Sequence, residues 1–103
     1  MLRIKAGVKL DKLSPHSVLA AQVASEVYSK KYNVDCWITS GSDGKHKVGS
    51  KHYQGDAIDI RVWNLPQGDQ VPEAAAELIG EALGENYDVI FEGDHIHIEY
   101  DPS

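Results

Sequence analysis

The stretch GSKHYQGDAIDIRVW, residues 49–63, decides the fold because it leads from a glycine-containing loop into a regular strand pattern. Its second half, AIDIRVW, alternates between apolar and other side chains with the period of 2 that is typical of a half-buried strand. A strand over 57–63 places Asp59 on the face opposite the apolar core. The two sets of side chains are Ile58, Ile60 and Val62 toward the core, and Ala57, Asp59 and Arg61 away from it.

Two helices flank this strand in the sequence. Ser14 is a suitable N-cap and Pro15 suits the first helical position, which predicts a helix over 15–32. A second helix is predicted over 72–83, where a proline and a glutamate open the pattern and Gly84 ends it. Both segments carry an apolar face, so each helix is expected to pack against a sheet.

Further strands are expected on both sides of the second helix. The segment DCWITS, residues 35–40, is rich in aromatic and β-branched residues. The run NYDVIFEGDHIHIEYDP predicts a hairpin over 87–92 and 95–100, because Gly93-Asp94 is a two-residue turn signal. Its second arm directs a polar set to one face, namely His95, His97 and Glu99. The expected fold is α+β, an antiparallel sheet with helices on one face and the polar set on the other.

Length and composition limit the possible classes of protein. The 103 residues, 42% hydrophobic and 25% charged, fit a single domain over 1–103. The net charge of −6 argues against a nucleic-acid binder, which needs a basic surface. No apolar run approaches the ~18 residues of a membrane span, and the start MLRIKAGVKLDKL lacks the apolar region of a signal peptide. We therefore expect a soluble monomer with no membrane segment and no export signal.

The predicted polar face gathers residues that bind metals. Cys36 is the single cysteine, so an internal disulfide and a four-cysteine zinc site are excluded, and any metal must be held by His, Asp or Glu. Asp59 shares the face with the histidines of the hairpin, and His52 enters from the preceding loop. A catalytic zinc ion typically has three protein ligands and a water in the fourth position. Two histidines and one aspartate fit that description.

The same residues carry a family resemblance. SKHYQGDAID, residues 50–59, matches the SxHxxGxAxD motif of zinc D-alanyl-D-alanine peptidases and related phage endolysin peptidases, which share a hedgehog-type fold. DHIHIEY, residues 94–100, resembles their second motif, and the likeness covers about residues 13 to 101. The resemblance implies zinc ligands at His52, Asp59 and His97. It also implies a general base three positions before the last ligand, which is Asp94.

The resemblance implies a zinc-dependent peptidase that cleaves peptidoglycan peptides, as a D-Ala-D-Ala carboxypeptidase or an endolysin-like enzyme of phage or prophage origin. Such a protein would be made in the bacterial cytoplasm and act at the cell wall or in the virion. Its partner would be the peptidoglycan peptide, held in part by Ser50. The alternative is a non-catalytic, zinc-stabilised binding or virion structural module of the same fold.

Two departures from the family pattern leave alternatives open. Asp43 stands where the family commonly has an arginine for the substrate carboxylate, so Lys45, His46 or Lys47 could replace it, or the substrate lacks a carboxylate there. His95 is similar to the first histidine of the HxH motif in lysostaphin-like peptidases, where that residue assists catalysis. Asp94 and His95 are thus rival or cooperating bases. Two neighbours, Glu99 and Arg61, are expected to orient a histidine and to offset nearby acidic groups.

Overall fold

The computed structural model of the protein describes residues 1–42 and 55–102. Within these ranges the elements are β1 (Leu2–Ile4), α1 (Pro15–Val27), β2 (Cys36–Ser40), β3 (Ala57–Arg61), α2 (Val71–Leu83), β4 (Tyr87–Phe91) and β5 (His95–Tyr100). A π-helical turn over Tyr28–Tyr32 continues α1. The α+β class is confirmed. In the part of the chain that is described, neither helix has the length and apolar character needed to cross a bilayer.

The sheet that the described residues form has five strands, in the order β1-β2-β3-β5-β4. Strand β1 pairs with β2 in parallel, and the other neighbours are antiparallel. The prediction of an antiparallel sheet is therefore wrong at one edge, and the sheet is mixed. The physical reason is that parallel neighbours need a crossover connection, which the segment containing α1 supplies between β1 and β2. Strand β5 lies between β3 and β4, in the interior of the sheet.

The apolar core lies on one face of the sheet, beneath both helices. The predicted alternation of β3 is confirmed, since Ile58 and Ile60 are fully buried in this core. Strand β5 adds two isoleucines, and the helices contribute mainly small residues that let them approach the sheet closely. These partners are Ile96 and Ile98 from β5, Ala20, Ala21 and Ala24 from α1, and Ala75, Ala76 and Ile79 from α2. Every polar residue of the predicted site on β3 and β5 then faces the other way.

Helix α1 begins as the sequence predicts and ends in an irregular turn. Ser14 caps it, because its hydroxyl accepts a hydrogen bond from the Ser17 backbone N–H at 3.3 Å. After Val27 the chain passes through the π-helical turn and ends at Asn33, which adopts the left-handed conformation. Fully buried Tyr28 donates a hydrogen bond of 2.7 Å from its hydroxyl to the Arg61 carbonyl. The end of α1 is thereby tied to the end of β3.

Gly55 brings the start of β3 against the start of α1. Its φ of +78° is a left-handed conformation that favours glycine, and a Cβ atom there would overlap the carbonyl oxygen of Lys12. The Gly55 carbonyl accepts hydrogen bonds from the Ser14 backbone N–H at 2.9 Å and from the Ser17 hydroxyl at 2.7 Å. These contacts fix the point from which β3 carries Asp59 onto the polar face.

Candidate metal centre

Asp59 and His97 form the centre of the polar face. They are directly opposite each other in the β3–β5 register, where cross-strand side chains are close enough to interact. His97 donates from Nδ1 to Asp59 Oδ1 at 2.9 Å and from Nε2 to Glu99 Oε1 at 2.8 Å. The side chains of Asp59 and His97 are only 12% and 14% exposed. Two of the three predicted metal ligands are therefore adjacent and largely shielded from water.

The carboxylates around His97 govern its charge. The hydrogen bond that the ring donates to Asp59 raises the pKa of His97 to about 9, with a further contribution from its bond to Glu99, although burial of the ring acts in the opposite direction. In this arrangement both ring nitrogens carry protons near neutral pH. A metal ion that binds the ring must displace one of those protons, so metal affinity at this position depends on pH.

His95 lies next to this pair and is held by several carboxylates. Its Nδ1 donates to Asp94 Oδ1 at 2.5 Å and its Nε2 to Glu92 Oε1 at 3.0 Å, while Asp59 Oδ1 is 3.7 Å from Nε2. Burial lowers the pKa of His95, but the charges of Asp59, Asp94 and Glu92 outweigh it and the net pKa is raised. The ring is thus positioned to exchange a proton with either carboxylate of the hairpin.

Glu92 lies at the site, although the sequence favoured Asp94 over it as the acid. The potential ligand atoms of Asp59, Glu92 and His97 all lie within 4.8 Å of one another. Glu92 follows β4 directly, and its backbone N–H donates to the His95 carbonyl at 2.8 Å. By contrast, the side chain of Asp94 is 88% exposed at the hairpin turn and contacts His95. The period-2 alternation of β4, continued one residue further, would have placed Glu92 on the polar face.

The other predicted site residues divide into two groups. Glu99 touches the His97 ring, and Arg61 lies between the rings of Trp37 and Trp63. The predicted ligand His52 and the predicted substrate contacts lie outside the described residues; these contacts are Ser50, Lys45 and His46. The described part of the site therefore unites β3, β5 and the turn after β4.

An open cleft of about 320 Å³ runs beside the centre. Asp59, His95 and Asp94 line it on one side, and Arg61 and Trp63 are among its other lining residues. A cleft of this size admits a few residues of peptide. Acid, imidazole and guanidinium groups thus face one space that a substrate can enter.

The donor set could hold a divalent metal ion. One imidazole nitrogen and carboxylate oxygens are ligands that zinc accepts, and their mutual spacing allows them to share one ion. A comparison with known proteins found no matching family model and no significantly similar curated protein. The basis for a function is therefore the chemistry of the site's own side chains.

Proposed function

We propose that the chain is a zinc-dependent peptidase that hydrolyses peptide bonds of bacterial peptidoglycan. The observation that supports this most is the pairing of Asp59 with His97 across β3 and β5. A carboxylate oxygen of Glu92 lies within 4.8 Å of the potential ligand atoms of both, and a cleft runs beside them. The SxHxxGxAxD motif adds His52 as the third protein ligand. In this proposal Asp59, His97 and His52 hold the ion. Zinc at such a site acidifies water and polarises a carbonyl oxygen.

The chain's own groups would move the protons of hydrolysis. A carboxylate must take a proton from the attacking water and return it to the leaving amine. The resemblance favours Asp94 for this role, while the geometry favours Glu92, which is the acid grouped with Asp59 and His97. His95 contacts both carboxylates and would pass the proton or hold the acid in place. The proposal therefore contains two acid candidates that an experiment can separate.

The decisive experiment combines zinc content with turnover of purified peptidoglycan, with and without a chelator. We expect about one zinc per chain and hydrolysis that the chelator abolishes. Asp59→Ala and His97→Ala should lose the zinc. Zinc-free parent protein, or zinc-loaded parent protein that releases no peptide, would contradict the peptidase proposal, and the second result would favour the binding module.

Glu92→Gln and Asp94→Asn identify the proton carrier. Each keeps the size of the side chain and removes the base, so zinc should stay while turnover falls on the order of 10²-fold or more in the variant that lacks the true carrier. Glu85→Gln is the matched control, because Glu85 is exposed and lies outside the polar face. If both acid variants retain the parental rate, the carboxylate mechanism is wrong and His95→Ala becomes the test of an imidazole base.

A further inference from the structure

Arg61 occupies an unusual position beside the proposed centre. It shares the face of Asp59, two residues further along β3, and is the cross-strand partner of His95. Its guanidinium carbon lies 4.6 Å from the centroid of the Trp37 ring and 4.4 Å from that of Trp63. The guanidinium is thus held by two indole rings, an arrangement that fixes its plane and leaves its edge for hydrogen bonding.

Within residues 1–42 and 55–102, no acceptor is hydrogen-bonded to the Arg61 side chain, and its Nε is buried without a partner. The acidic groups nearby already accept hydrogen bonds from imidazole rings. Asp59 accepts one from His97. Asp94 and Glu92 each accept one from His95. Arg3 shows the contrast. It also approaches Trp37, at 5.8 Å, but it forms an ion pair of 2.6 Å with Asp35.

A guanidinium that lines a cleft and has no acceptor of its own among the described residues is suited to an anion brought by a ligand. Two residues along a strand span about 6.6–6.8 Å, and an extended peptide covers about 3.3–3.6 Å per residue. An anion bound at Arg61 would therefore lie one or two residues from a carbonyl held near Asp59. A carboxylate is the anionic group that a peptide offers at that distance.

We propose that Arg61, stacked between Trp37 and Trp63, binds a free carboxylate of the peptide substrate next to the scissile bond. The inference rests on the proposed function for the identity of the substrate, but the binding step needs no hydrolysis. It gives the chain a carboxylate contact on β3 rather than in the loop where the family pattern has its arginine. Substrates with an amide at that position would bind more weakly.

Binding of two probes to the full chain tests this inference. The probes are N-acetyl-D-alanyl-D-alanine and its C-terminal amide, titrated by NMR into chelator-treated protein, where no turnover occurs, and again with zinc. We expect the acid to bind about tenfold more tightly than the amide or better, since a charge-assisted hydrogen bond is lost with the amide. Arg61→Gln should abolish this preference, while the matched control Arg3→Gln should retain it.

Equal binding of acid and amide by the parent protein would overturn the inference, as would an undiminished preference in Arg61→Gln. If that variant does not fold, the side-chain N–H resonance of Arg61 in the parent protein decides: it should shift with the acid and stay unchanged with the amide, and no shift with the acid overturns the inference. A preference for the acid that depends on Arg61, in a protein without zinc uptake or hydrolysis, would instead refute the peptidase proposal and leave the carboxylate site standing.

Discussion

Replacement of Gly55 by alanine is the sharpest test of how the motif strand is anchored. The residue combines a left-handed backbone with a close approach to Lys12, so a methyl group there meets two separate obstacles. Its Cβ would lie 2.8 Å from the Lys12 carbonyl carbon and 3.3 Å from the Leu13 Cα, both backbone atoms that cannot rotate away. The strand must then move away from the start of α1.

The energetic cost follows from these contacts. Alanine in the left-handed region costs about 1–2 kcal/mol. Displacement of the strand also separates the Gly55 carbonyl from the Ser17 hydroxyl, and because Ser17 is only 2% exposed, its unsatisfied hydroxyl costs about 1–3 kcal/mol more. The sum, about 2–5 kcal/mol, is a large part of the roughly 5–15 kcal/mol that stabilises a typical domain.

Gly7→Ala is the matched control, because Gly7 has a φ of +89° but no atom within 4 Å of a Cβ placed there. It should suffer only the backbone penalty. The extra cost at Gly55 is about 1–3 kcal/mol, and Tm falls by about 4–8 °C per kcal/mol for a small domain. Gly55→Ala should therefore melt at least about 4 °C below Gly7→Ala in a calorimetric or circular-dichroism melt. If the two variants melt within about 3 °C of each other, the contact between Gly55 and Lys12 does not anchor β3.

Three further predictions concern single side chains. Tyr28→Phe removes the hydrogen bond to the Arg61 carbonyl and should lower the free energy of unfolding by about 1–3 kcal/mol in urea denaturation, whereas an unchanged free energy would show that the hydroxyl is not needed. Cys36 is fully buried, and burial raises the pKa of its thiol to about 12. The thiol should therefore react with a thiol reagent at pH 8 only after denaturant is added, and fast reaction of the native protein would contradict this. In metal-free protein the pKa of His97 is raised from 6.5 to about 9, so its contribution to stability is fully present below about pH 6.5 and is lost as the pH rises through 9. Urea denaturation should show a lower free energy of unfolding at pH 9.5 than at pH 6, and this decrease should be absent in His97→Gln; equal decreases in both proteins would refute the assignment.

Local patterns were sufficient for most of the fold. The alternation in β3 and β5 gave the correct face for every residue in them, because one face is buried and a shift by one residue would expose the isoleucines. The predicted helix over 72–83 starts at Val71, one residue early, and the predicted helix over 15–32 corresponds to α1 and its π-helical turn. Strand β3 ends at Arg61 rather than at residue 63.

Features that depend on distant partners could not be read from the sequence. Strand β1 has only three residues, and its existence depends on a parallel partner supplied through α1. At the site, the sequence pattern could show that Asp94 lies in the turn but not that its side chain would be exposed, because the direction of a turn residue depends on the backbone set by Gly93 at φ +96°. Glu92 was passed over because the family resemblance assigned the acid to the position three residues before His97, although the alternation of β4 directs Glu92 to the polar face.

The place of β5 in the sheet has a consequence for biosynthesis. This strand comes last of the five in the sequence, yet it lies between β3 and β4, and His95 and His97 come with it. On the ribosome, β1, β2 and β3 can pair with one another before β5 emerges, but β4 must wait for β5 as its neighbour in the sheet. The complete five-stranded sheet and the pairing of Asp59 with His97 can therefore form only after residue 100 has left the exit tunnel.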